Sequence, residues 1–183
     1  MADYKFNTRK VRISYPHLFQ KDQNEKYSMV ALIPKEDTAT YQKVMDACKA
    51  IYKENKDSTF KGLQFDEIQI PIHDGDGRKP KGGAYGAECK GMWVMSAKTT
   101  SKPVIVDAYN TPVTSQEEIY PGVWGRINVG FGAYNNAGNR GITCYLNGVK
   151  TYNTGERIGN AFNAAEFEDD YDDSEMMGDD GEI

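Results

Sequence analysis

The chain has 183 residues, 39% of them hydrophobic, with 22 Lys and Arg against 27 Asp and Glu and a net charge of −5. That is a one-domain length able to bury a core, and without an apolar targeting segment or a membrane-length apolar run, a soluble cytoplasmic protein with no membrane contact is expected. Cys48, Cys89 and Cys144 form no CxxC pair, and two histidines offer no zinc spacing, so three reduced thiols are expected in place of a disulfide or zinc scaffold.

Residues 1–8 carry no regular pattern. From Arg9 to Tyr15 the chain alternates, with Val11, Ile13 and Tyr15 on one face, which predicts a half-buried strand ended by Pro16. Tyr27 to Ile33 reads as a second strand, apolar on both faces and stopped by Pro34. Asp37 or Thr38 can cap a helix whose apolar stripe is Tyr41, Val44, Met45, Cys48, Ile51 and Tyr52. This helix is expected to cover the second face of the preceding strand. Phe65 to Ile72 reads as a short strand, with Ile68, Ile70 and Ile72 in phase. The glycine-rich basic loop from His73 to Gly91 is long enough to suggest function or mobility. Met92 to Lys98 and Val104 to Val106 read as strands. Val123 to Tyr134 is the clearest, with Val123, Ile127, Val129 and Phe131 inward and Trp124, Arg126, Asn128 and Tyr134 outward. After a turn from Asn135 to Arg140, a return strand places Ile142, Cys144 and Leu146 inward and Thr143 and Tyr145 outward. The expected fold is mainly β: an OB-like antiparallel barrel with one inserted amphipathic helix and long loops.

Charge divides the chain. Ten acids and no base lie between Glu166 and Ile183, leaving 17 acids and 22 bases, a net of +5, in residues 1–165. The expected organisation is a basic domain over 1–165 followed by a disordered acidic tail over 166–183. A basic body with an acidic tail points to a polyanionic ligand, an acidic regulatory segment, or both.

Two chemical readings compete in the body. His73, Asp74 and Asp76 bring an imidazole and two carboxylates together, as a divalent metal for strand hydrolysis would require. The same residues make an ordinary Asp-Gly turn, and neither an EF-hand nor a phosphate-binding GxxxxGK[ST] loop is present. The binding reading uses cations along a nucleic-acid backbone and aromatic rings under its bases. Trp124, Arg126, Tyr134 and Tyr145 supply the strand faces, although a second layer over Trp124 would make it core. Arg78, Lys79, Lys81 and Tyr85 supply the loop, and Lys98 and Lys102 bracket a further turn. Trp93, in phase with Met95 and Ala97, reads as core. In the tail, Glu166, Asp169, Asp170, Asp172, Asp173, Asp179 and Asp180 can imitate DNA in a basic groove, while Phe167, Tyr171 and Ile183 offer handles to partners. A plain solubility tail is the alternative. No catalytic residue, metal or cofactor is assigned. A phage nuclease using His73, Asp74 and Asp76 and a virion or assembly protein without DNA affinity remain the competing functions.

The segments Arg12-Ile13-Ser14-Tyr15-Pro16, Ile72-His73-Asp74-Gly75-Asp76, Pro103-Val104-Ile105-Val106-Asp107, Tyr120-Pro121-Gly122-Val123-Trp124-Gly125-Arg126 and Gly141-Ile142 leading into Leu146-Asn147, in this order and with an acidic end, resemble the single-stranded DNA-binding proteins of tailed phages. This is the SSB-like family of the OB-fold group. The resemblance implies an OB-like barrel with an added helix and sequence-independent binding of single-stranded DNA in phage DNA replication and recombination. It also implies tail contacts to replication proteins of the polymerase, helicase or primase class, and a homodimer. The terminus departs from the family habit of an aromatic last residue, since this chain ends in Ile183.

Overall fold

Apolar alternation becomes eight strands and one α-helix among the residues that a computed structural model describes, 4–159. In chain order these are β1 (Phe6–Asn7), β2 (Val11–His17), β3 (Tyr27–Pro34), α1 (Thr38–Asn55), β4 (Ile72–Asp74), β5 (Met92–Thr99), β6 (Val104–Val106), β7 (Trp124–Asn136) and β8 (Asn139–Thr151).

Five of the strands form a closed ring. β2 pairs with β7 and with β3, β3 pairs with β5 along its whole length, and β7 and β8 form a long hairpin. A single parallel bridge, Lys98 to Tyr145, joins β5 to β8 and closes the barrel. β6 also pairs with β8 in parallel, so the expected all-antiparallel sheet carries two parallel pairings. They arise because β8 returns beside strands that precede β7, a consequence of closure that local alternation does not encode. β1 extends the sheet beside β7, and β4 pairs with β5.

Inward residues of every barrel strand meet in one core. Val11 and Ile13, Met29, Ala31 and Ile33, Met95 and Ala97, Ile127 and Val129, and Cys144 and Leu146 are all buried there. The Asp37 side chain accepts a hydrogen bond from the Thr40 backbone N–H at 3.1 Å and caps α1. Val44, Ala47, Cys48 and Ile51 of the helix join the same core, and α1 packs against β7 and β8. The helix therefore plugs the barrel and does not cover the second face of β3. That outer face is covered by the chain around Cys89: Leu32, Val94 and Cys89 form a separate small cluster, joined by Val30, Tyr85, Met92 and Ile158. Trp93 stacks on Tyr41 of α1 with ring centroids 4.3 Å apart, at the edge of the main core.

Three local expectations change. β2 runs through Pro16 to His17, because an irregularity in its pairing between Ser14 and His17 removes the need for a proline N–H. There Tyr15 takes φ of 45°, a conformation that costs a residue with a Cβ about 1–2 kcal/mol, and its side chain turns outward, 68% exposed, instead of joining Val11 and Ile13. The strand expected over Phe65 to Ile72 is a short 3-10 turn, Phe65–Glu67, and the strand proper is Ile72–Asp74. Gln69 still touches β8 through one bridge to Gly141. Finally, the β7–β8 hairpin is tighter than expected, with Ala137 and Gly138, both at positive φ, alone between the strands.

Candidate nucleic-acid interface

The outer faces of β2, β3 and β5 continue around the closing seam onto β8. Their outward residues are Ser14, Ser28, Val30, Ser96 and Lys98, followed by Thr143 and Tyr145. Two adjoining clefts lie on this surface. The first, of about 560 Å³, is lined by Lys26, Lys81, Lys98, Tyr134, Thr143 and Tyr145, with Gln69 on its wall. The second, of about 420 Å³, has Val30, Leu32 and Val94 beneath it and Tyr15, His73, Lys79, Lys81 and Tyr85 around it. Gln69 and Lys81 line both, so the two make one groove.

The aromatic residues are seated by specific contacts. Gly132, opposite Thr143 in the β7–β8 ladder, leaves room for the Tyr145 ring: a Cβ at Gly132 would stand 2.9 Å from Tyr145 Cε2. Tyr145 stays 46% exposed above it. The Tyr134 hydroxyl donates to Gln69 Oε1 at 3.2 Å. Lys79 Nζ lies 5.9 Å from the centre of the Tyr85 ring. Burial raises the pKa of both Tyr85 and Tyr134, and burial lowers that of His73, which favours its neutral imidazole.

Among the residues singled out by sequence, Lys79, Lys81, Tyr85, Lys98, Tyr134 and Tyr145 converge here. Trp124 and Arg126 do not line this groove. They share a strand with Tyr134, but ten residues of strand separate Trp124 from Tyr134, roughly 34 Å. Trp124 is half-buried under the chain that follows β8: a Cβ at Gly155 would meet its ring at 2.9 Å, and Lys10 Nζ lies 5.6 Å above it. Arg126 Nε donates to the Thr8 carbonyl at 2.8 Å and borders a shallow cleft with Asn7, Val106 and Lys150. Lys102 Nζ sits over Phe19 at 5.2 Å, and exposed Arg78 bridges Ala84 within its own loop. The tail residues Glu166 to Ile183 lie outside the described residues.

The carboxylates of the nuclease reading are occupied otherwise. Lys35 Nζ bonds Asp74 Oδ1 at 2.6 Å and Asp76 Oδ2 at 2.7 Å. These bonds hold both carboxyls below the ordinary range and raise the Lys35 pKa. Asp76 Oδ1 also accepts from the Gly91 N–H at 3.0 Å, so the trio ties together the two ends of the 75–91 loop. His73 faces the groove instead, paired in register with Val94. Sequence reasoning missed Tyr15, Lys26 and this placement of His73. The one available signal was Pro16 next to Tyr15, since proline within a strand marks a bulge.

A closed five-stranded barrel with an outer groove of lysines and tyrosines is the architecture of an oligonucleotide-binding domain of the OB type. The chain belongs to the Enc34 ssDNA-binding protein family: the family model described as "Enterobacter phage Enc34, ssDNA-binding protein" matches residues 4–179. The p50 protein of Acyrthosiphon pisum secondary endosymbiont phage 1 is 28% identical over 178 residues, covering 90% of this chain and 93% of p50. The single-stranded DNA-binding protein of bacteriophage Enc34 in complex with ssDNA superposes with a TM-score of 0.70 at 28% identity, over 85% of this chain and 89% of that one. The single-stranded DNA-binding protein gp2.5 of bacteriophage T7 shares the fold, with a TM-score of 0.59 at 12% identity over 92% and 97% of the two chains.

Proposed function

We propose that this chain binds single-stranded DNA without sequence preference, along the groove that crosses the β5–β8 seam. The observation that carries this reading is the convergence of Lys81, Lys98, Tyr134 and Tyr145 in one cleft. Lysines there can follow phosphates, and tyrosines can stack on unpaired bases, at about 1–3 kcal/mol per base. The groove occupies the face that OB barrels use for oligonucleotides, and the structural relative from Enc34 is described with ssDNA bound. Only unpaired bases expose their faces, so single strands should bind more tightly than duplex. Counterion release should weaken binding steeply as salt rises.

The reading extends to the acidic tail. Ile158 packs against the Leu32–Val94–Cys89 cluster, so the chain leaves the described body beside the groove. A tether from that point holds ten acids near a body of net +5, at an effective concentration on the order of millimolar. The tail then competes with DNA, and once displaced it contacts replication proteins; action in phage replication and recombination and a homodimer belong to the same reading. Binding isotherms for an oligo-dT strand and its duplex, with and without magnesium, at low and high salt, test it. Preference for the single strand without cleavage is expected. Equal affinity for duplex, or magnesium-dependent cleavage, would sink it. Deletion of Glu166 to Ile183 should tighten binding at low salt, and sedimentation of the intact chain tests the dimer.

A further inference from the structure

We propose that the cleft between Tyr15 and Tyr85 takes one unpaired nucleobase, with Tyr15 as its stacking surface. This inference rests on the ssDNA-binding reading and assigns a base subsite within it. Three observations carry it. By alternation Tyr15 belongs inside with Val11 and Ile13, yet the bulge turns it out to 68% exposure at φ of 45°. A strained backbone that exposes a large ring is a feature that folding alone does not select. Among the described residues the Tyr15 hydroxyl makes no hydrogen bond that would account for its place.

Second, the cleft has the chemistry of a base site. Its floor is the half-buried Val30, with Leu32 and Val94 buried beneath it, and Tyr85 forms a second aromatic wall. A volume of about 420 Å³ lies within the range of small-ligand sites. The half-buried His73 stands at the wall, where a neutral imidazole can hydrogen-bond a base edge. Third, the charge fits a polyanion. Lys79 and Lys81 line the cleft against a single acid, Glu88, and Lys81 also lines the groove that continues to Tyr145. A strand held at Tyr145 and Lys98 can therefore run on past Lys81 and place a base against Tyr15.

Tyr15→Gly separates ring from backbone, because glycine accepts positive φ without strain. In the full chain it should leave the melting temperature unchanged or raised, and it should weaken binding of an oligo-dT strand by roughly 5- to 150-fold. Tyr15→Phe should bind like the parent. A 2-aminopurine base carried by the strand should be quenched on binding to the parent and less so with Tyr15→Gly. Parent-like affinity and quenching in Tyr15→Gly would overturn the subsite while leaving ssDNA binding intact. A parent that binds no oligo-dT would overturn the function, and this site with it.

Discussion

Gly132 and Gly141 lie in the same hairpin, and a methyl group at each would meet a different obstacle. At Gly132 it would stand 2.9 Å from the Tyr145 ring, which is free to swing on its own torsions. Gly132→Ala should therefore leave the unfolding midpoint near the parent value while displacing Tyr145 and weakening ssDNA binding, as paired melts and isotherms would show. At Gly141 it would stand 2.5 Å from the Gln69 carbonyl oxygen, which is fixed by accepting from the Ile142 N–H at 2.8 Å. Gly141→Ala should destabilise by about 1–3 kcal/mol in denaturant titrations, the range for overpacking. The thiols give a pH dependence. Burial pushes Cys48 up to about 12 from an ordinary 9.0, and burial also raises Cys144 well above its ordinary value. Below pH 9 both states hold the proton and nothing is lost; as pH rises past 9 the unfolded chain ionises first, so stability should fall through the window up to about 12. Urea midpoints at pH 7, 9 and 10.5 check this, and Cys48→Ala should shallow the decline.

The 75–91 loop holds only one 3-10 turn, Ala87–Cys89, and one bridge, Arg78 to Ala84, and its ends are nonetheless fixed. Lys35 holds Asp74 and Asp76, Asp76 holds Gly91, and a Cβ at Gly75 would strike the Cys89 carbonyl oxygen. Lys35→Ala should loosen the loop and speed tryptic cleavage after Arg78 and Lys81, with the barrel intact by circular dichroism. Because both carboxyls titrate below their ordinary range, the contact operates above the unfolded carboxylate pKa and is lost as pH falls through the lowered folded values. The parent loop should accordingly become protease-sensitive on acidification, whereas the Lys35→Ala loop should already be so at neutral pH. Elements of this fold were legible in sequence wherever one periodicity ran uninterrupted: the inward Ile127, Val129 and Phe131 of β7, the Asp37 cap, the Val44–Cys48–Ile51 stripe. Legibility failed where the chain departs from period two or where partners are distant. Tyr15 changed face at a bulge, Asp74 and Asp76 found a cation 39 and 41 residues away, and Trp124 and Tyr134 shared a face but not a place. Charge and aromatic content singled out Lys81, Lys98, Tyr134 and Tyr145, and only barrel closure brings them together in one cleft.

At the scale of the whole molecule, the ring is unevenly built. β3 and β5 pair over eight consecutive positions and β7 with β8 over twelve, whereas β5 meets β8 at Lys98 and Tyr145 alone. The line that the proposed ligand crosses is therefore one of the two thinly paired seams of the barrel, the other being β2 with β7, paired at two positions. DNA spanning Lys98 and Tyr145 would work as a suture, fastening two lips that the polypeptide itself joins only once. Occupancy at a hundred times the dissociation constant should add about 2.7 kcal/mol of stability. That gain should be unevenly distributed: in hydrogen exchange, amides of β5 and β8 flanking the seam should slow more than those of the β2–β3 pairing. Uniform slowing across the ring would mean that the ligand does not bridge the seam. A barrel so fastened would be tightest as a protein while a strand is bound, and easiest to unfold when it has nothing to hold.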